Sequence, residues 1–110
     1  MAYTLAMGVR VGRMTVNPTA MTKARPLLTE IVDAARDSGQ VTALTEYGRA
    51  RAIVVPVGYY EDAEHNALII EGLRDAAPDL LAKLTDAAPK VRMPARFEET
   101  APNRPARRES

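Results

Sequence analysis

The chain has 110 residues, with 15 lysines and arginines against 14 aspartates and glutamates and a net charge of +1. It holds no cysteine and one histidine, His65, which excludes a disulfide framework, a thiolate metal site and a histidine cluster within one chain. The apolar runs fall far short of the ~20 residues of a membrane span and the N-terminus lacks the pattern of a signal peptide, so the expectation is a single cytoplasmic domain with a tail.

Residues 1–18 read as an N-terminal arm or an extra strand. Tyr3–Val11 suits an edge strand that Gly8 weakens, or a flexible arm, and Met14 is an alternative start of the chain. Thr19–Met21 then reads as a short strand, with Pro18 confining it to an edge or a bulge. Thr22 is a candidate N-cap. Alternatively Pro26 takes the first helical position and Arg25 the cap. The helix itself is signalled by Ala24, Leu27, Leu28, Ile31, Ala34 and Ala35 at the spacing that lines one face, and Gly39 stands where a helix ends in a left-handed residue. In either version Lys23 and Arg25 project near a helix start, where free N–H groups favour a phosphate. The plain alternative is that both are ordinary surface cations.

Two β-type runs follow, Val41–Thr45 and Ala50–Val55, joined by Glu46–Arg49 with Gly48 free to take a positive φ. Ala52, Ile53, Val54 and Val55 are apolar on both faces of their strand. One helix covers only one face of a three-stranded sheet, and so small a domain has little core. A second copy is the simplest cover for the other face, so these four residues are the expected homodimer interface.

After Pro56, Val57-Gly58 makes a break. Tyr59–Arg74 reads as a helix, weakened at Gly72, and Pro78 ends it and restarts a short helix through Leu80, Leu81 and Leu84. Leu68, Ile69 and Ile70 spread apolar surface around the first of these helices, which suggests a partner groove or folding back on the sheet. Residues 88–110, rich in proline, alanine and charge, read as a disordered basic tail.

Charge is unevenly spread. Residues 1–29 carry four bases and no acid, residues 57–86 seven acids against two bases, and residues 87–110 six bases against three acids. That division suggests two different partners, the plain alternative being that short solvated faces vary in charge. A catalytic set is missing. The only serines are Ser38 and Ser110, the acid pairs Glu61/Asp62 and Glu98/Glu99 are sequence neighbours that do not face each other on a helix, and His65 among acids reads as a solvated surface residue. No cofactor or metal is expected, and no enzymatic activity.

The ordered set Thr22-Lys23-Ala24-Arg25, Leu28-Thr29-Glu30, Gly39, Val41–Thr45, Gly48-Arg49, Val54-Val55-Pro56 and Tyr59-Tyr60-Glu61 resembles the Phd/YefM family of type II antitoxins over about two-fifths of the chain. The resemblance implies an α+β fold: a YefM-like β-α-β-β domain over residues 19–57 with a three-stranded sheet and a helix, then a helical, partly disordered segment over 58–87. It implies an antitoxin that represses its own operon as a dimer on operator DNA and neutralises a toxin by direct contact. Thr22, Lys23 and Arg25 map to the family's DNA contacts; Arg49 at the turn and Arg13 in the acid-free stretch join them as candidates. Tyr59, Tyr60, Ala63, Leu68, Ile69, Ile70, Leu73, Leu80, Leu81 and Leu84 are the candidate toxin contacts. Family partners include RelE-like messenger-RNA interferases and Fic-fold kinases. The sequence departs from the pattern at Glu46, where a base is frequent, in a longer extension before Thr19, and in the basic tail after Lys90. The competing readings are a stand-alone DNA-binding regulator without a toxin and, less favoured, a small ribonuclease toxin.

Overall fold

The structure, a computed structural model, describes residues 8–97. Of these, residues 8–56 and 92–97 form one compact unit and residues 57–91 a second. The first unit is α+β. Its strands β1 (Val9–Val11), β2 (Met14–Ala20), β3 (Val41–Glu46) and β4 (Arg49–Val54) lie in the order β1-β2-β3-β4. The β1–β2 and β3–β4 pairs are antiparallel and the β2–β3 pair is parallel.

The sheet therefore has four strands where three were expected. The extra-strand reading of the N-terminus is realised by Val9–Val11, with Val9 opposite Val16 and Val11 opposite Met14; residues 1–7 lie outside the described residues. The short strand expected at Thr19–Met21 is longer and ends a residue earlier, because Val16, fully buried, brings the whole run from Met14 into the sheet. Pro18 pairs across to Ala43 on β3. On its other side β1 reaches no further along β2 than Val16, so the proline sits where the strand has one neighbour, as its missing N–H requires.

The expected helix is interrupted. Helix α1 (Met21–Ala24) gives way to a 3-10 turn, Arg25–Leu27, and then to α2 (Leu28–Ser38). Pro26 is the cause, since it cannot donate to the helical ladder and its ring crowds the preceding turn. Ala20, still extended, precedes the first helical residue, and no side chain caps it. Thr22 is thus inside α1 rather than its cap, and Arg25 opens the 3-10 turn. Ala24, Ile31 and Ala35 are buried as the spacing predicts, while Leu28 is half exposed. Gly39 ends α2 at φ 70°. Its N–H donates to the Ala35 carbonyl and that of Gln40 to Ala34, both at 3.2 Å, closing carbonyls the helix leaves open.

Strand alternation places Val16, Val41 and Ala43 on one face of the sheet and Asn17 and Thr42 on the other. The buried polar residues of the second face are hydrogen-bonded: the Asn17 side-chain amide donates to the Val41 carbonyl at 3.2 Å, and the Thr42 hydroxyl accepts from the Gln40 side-chain amide at 3.4 Å. On the first face Val11, Val16, Val41 and Ala43 form a buried cluster with Phe97, flanked by Val9, Met14, Ala50, Ile53, Val55 and Met93. None of the buried residues of α1 and α2 belongs to it, so the helices cover the opposite face.

Two expectations change here. Part of the tail expected from residue 88 joins the sheet unit: within residues 92–97, Met93 is half buried and Phe97 is 4% exposed. Residues 98–110, the rest of that tail, lie outside the described residues. The face for which a second copy was the simplest cover is closed by the chain's own Phe97 and Met93 and by the β1 valines. Ile53 and Val55 pack against that cluster, Val54 is half buried, and Ala52 is exposed. Burial alone does not demand a dimer.

The second unit consists of α3 (Val57–Ala76) and α4 (Pro78–Ala87). Val57-Gly58 is not a break but the first turn of α3. Pro78 restarts the helix as expected, with Ala77 donating to the Leu73 carbonyl at 2.8 Å. Among the described residues no helix is long and apolar enough to cross a membrane.

The packing of Phe97 generates a direct test. Phe97→Ala should destabilise the sheet unit by about 3–5 kcal/mol, the usual cost of truncating a buried phenylalanine, read as a lower urea midpoint. A change within about 0.5 kcal/mol, typical of a surface site, would mean that the side chain does not fill this core.

Candidate nucleic-acid interface

The end of the sheet where β2 gives way to α1 collects cations. Ala20 lies opposite Thr45, and Glu46 lies opposite Arg49 across a two-residue turn, Tyr47-Gly48. The start of α1 and the β3–β4 turn therefore share one end of the unit. Thr22, Lys23 and Arg25 on one side and Arg49 and Arg51 on the other are all exposed there. Arg51 is held by Glu46 at 3.5 Å, an ion pair open to solvent on both partners and of small energetic weight. Glu46 thus offsets one cation of the turn and leaves the others.

Arg13 is not part of this group. It lies between β1 and β2, at the opposite end of β2, and the seven residues of that strand separate the two ends by about 20 Å. Nor does the helix-terminus argument carry over to Lys23 and Arg25. Helix α1 is only four residues long, too short for a substantial dipole. What remains is the placement of the cations themselves.

The turn is unusual in its first residue. Tyr47 has φ 54° and Gly48 φ 79°, the pair of positive values of a type I′ hairpin turn. Asparagine, aspartate or glycine normally takes the first place. A bulky side chain there costs roughly 1–2 kcal/mol. The returning chain stabilises this geometry: the Phe97 N–H donates to the Gly48 carbonyl at 2.6 Å, and the Arg96 guanidinium donates to the Tyr47 carbonyl. A methyl group at Gly48 would lie 3.0 Å from Arg96 Cγ and 3.1 Å from the Phe97 carbonyl oxygen. Tyr47 itself points outward and is 85% exposed.

Sequence reasoning passed over Tyr47, Arg51 and Arg96. A signal existed for two of them. A tyrosine occupies a place that hairpins give to asparagine or glycine, and Arg96 precedes the chain's one phenylalanine.

The candidate partner-binding residues all lie in the second unit. Tyr59, Tyr60, Ala63, Leu68, Ile69, Ile70, Leu80 and Leu84 are exposed, and Leu73 and Leu81 are half buried. Neither α3 nor α4 has a buried residue. Elsewhere, Arg36 near the end of α2 hydrogen-bonds Asp37 at 2.9 Å and meets Asp33 at 3.1 Å. Its hydrogen bond holds the Asp37 carboxyl below its ordinary range. The stabilisation from this pair is present above the ordinary carboxylate range and is lost as pH falls through the lowered value; full solvation keeps it small. Among the described residues no group of three or more histidines, aspartates and glutamates is placed to hold a metal ion.

Comparison with protein-family models, with curated proteins and with solved structures finds no match to this chain.

Two of the three left-handed glycines, Gly39 and Gly48, separate backbone strain from crowding. Gly39→Ala meets no atom within 4 Å and should cost about 1 kcal/mol from its φ alone. Gly48→Ala meets the returning chain as well and should cost at least about 1 kcal/mol more, measured by chemical denaturation. Equal costs would show that residues 96–97 do not rest on the turn.

Proposed function

We propose that this protein is the antitoxin of a type II toxin–antitoxin module, without enzymatic activity, that binds operator DNA as a homodimer through its sheet unit and a toxin through residues 57–91. The observation that carries this reading is the second unit: thirty residues of helix that expose leucine, isoleucine and tyrosine side chains and bury none. A soluble monomer gains nothing by presenting such a surface, and apolar exposure on this scale marks an interaction site. Its acidic charge favours a basic partner surface. Unpacked helices of this kind complete their burial on binding, so a short segment covers a wide area of its partner.

The cationic end of the sheet supports the DNA half of the reading. Lys23, Arg25 and Arg49 converge there without belonging to the hydrophobic core, as residues that meet phosphates do. The resemblance to the Phd/YefM family assigns the same start of the helix to DNA. A dimer would use the open edge of β4 with the half-buried Ile53, Val54 and Val55 beside the exposed Ala52, and pairing two copies would place two cationic ends on successive half-sites of a palindrome. A RelE-like or Fic-fold toxin fits the reading equally. The stand-alone regulator is its alternative, favoured if residues 57–91 find no partner. A ribonuclease toxin has no supporting acid–base set.

Because Phe97 completes the sheet core, cutting the chain after Val57 would unfold the DNA-binding unit and confuse the two roles. Point substitutions in the full chain separate them. Arg25→Ala should weaken binding to a duplex from upstream of the chain's own gene by about tenfold or more, while Arg13→Ala, at the other end of β2, changes it little. The double substitution Leu68→Glu and Ile69→Glu should abolish rescue from a toxin encoded beside this gene and leave duplex binding intact. Unchanged duplex affinity in Arg25→Ala would remove the cationic end from the interface. Rescue that survives the double substitution would remove α3 from the toxin contact.

A further inference from the structure

Tyr47 is the least expected residue of the sheet unit. It stands in a left-handed conformation that a tyrosine resists, yet its side chain is 85% exposed and adds nothing to the core. Folding does not call for a tyrosine here, since glycine would satisfy the turn better. The two hydrogen bonds that hold the turn come from Arg96 and Phe97 and go to backbone carbonyls, so they do not depend on which side chain occupies position 47. A side chain that strains its backbone and lies in solvent points to a role outside the fold.

Its surroundings indicate what that is. Arg49 and Arg96 adjoin the turn, and Lys23 and Arg25 share its end of the sheet. Arg96 gives one N–H to the Tyr47 carbonyl, and a guanidinium carries five such donors in a planar fork, so the rest of the fork stays available to an anion. The buried Phe97 next to it anchors the backbone, and a cation fixed in this way loses less freedom on binding than a free one. An exposed aromatic ring beside a cation held in place suits a ligand with phosphates flanked by flat, apolar sugar and base surface.

We infer that the Tyr47-Gly48 turn and Arg96 form a second nucleic-acid contact, in which Arg96 meets a backbone phosphate of duplex DNA and the Tyr47 ring packs against the adjoining sugar. The contact rests on the DNA-binding reading proposed above and extends it to the returning segment 92–97, which lies outside the residues that the resemblance assigns to DNA. Arg96 thereby reaches this end of the sheet from the face that Phe97 covers, and the start of α1 reaches it from the face of the helices.

The test uses the full chain and a labelled duplex from upstream of its own gene, with affinity measured across a range of salt. Arg96→Ala should bind about tenfold more weakly, with the slope of log affinity against log salt reduced by about 0.9 for the lost phosphate. Tyr47→Gly should raise the melting temperature, because glycine relieves the backbone, and yet weaken binding. That opposition between stability and affinity is the signature of a contact residue, and a purely structural tyrosine would not produce it. If the wild-type chain binds the duplex and both variants match its affinity and salt slope, the turn contact is overturned while the start of α1 keeps its role. If the wild-type chain does not bind the duplex, the DNA-binding reading itself falls and the turn contact with it.

Discussion

The burial of Phe97 against β2 and β3 is the contact on which the rest of the structure depends. A four-stranded sheet with one layer of helices has a second face to cover, and a unit of this size has few side chains with which to do it. Val9 and Val11 reach part of that face from the N-terminal side. The remainder is closed by a phenylalanine that arrives after the chain has left the unit, formed two helices and come back. The backbone follows the ring: the Phe97 N–H bonds to Gly48, Arg96 bonds to Tyr47, and the space a side chain at Gly48 would need is already filled. One apolar contact thus fixes the core, the hairpin turn and the path of the chain.

That closure also sets the division of the chain into two units. With both flanking segments tied to the sheet unit, residues 57–91 form an excursion from it rather than a free C-terminal end. Their apolar side chains stay exposed, while the sheet unit keeps its own core complete. The cations sit at the end of the sheet where Arg96 and Phe97 hold the turn. Arg13, similar in sequence terms to Arg25, is separated from that surface by the length of a strand, and only the pairing register reveals it.

Much of this architecture was legible in the residues. The period of Ile31 and Ala35, the stop at Gly39, the hairpin around Gly48 and the restart at Pro78 all rest on local backbone chemistry, and each lies where that chemistry predicts. The departures come from longer range. Pro26 divides a helix whose apolar spacing runs straight through it. β1 is three residues long, and its place in the sheet rests on pairing with Val16 and Met14 of β2. The segment before Phe97 has the composition of a tail, and composition averages away the single aromatic that decides its fate. Of the candidate interface, Lys23, Arg25 and Arg49 could be named from the sequence, whereas Tyr47, Arg51 and Arg96 join it only because a turn and a returning strap bring them there.

Amide hydrogen exchange of the full chain, resolved residue by residue, tests this account most directly. If Phe97 closes the sheet, its amide, bonded to Gly48, should exchange only through the same cooperative opening that releases the amides of β3, and the two should share one opening free energy. A Phe97 amide that exchanges at the rate of an unfolded peptide while β3 stays protected would show that the segment is a loose tail. The sheet would then need another cover, and a second copy of the chain would again be the first candidate.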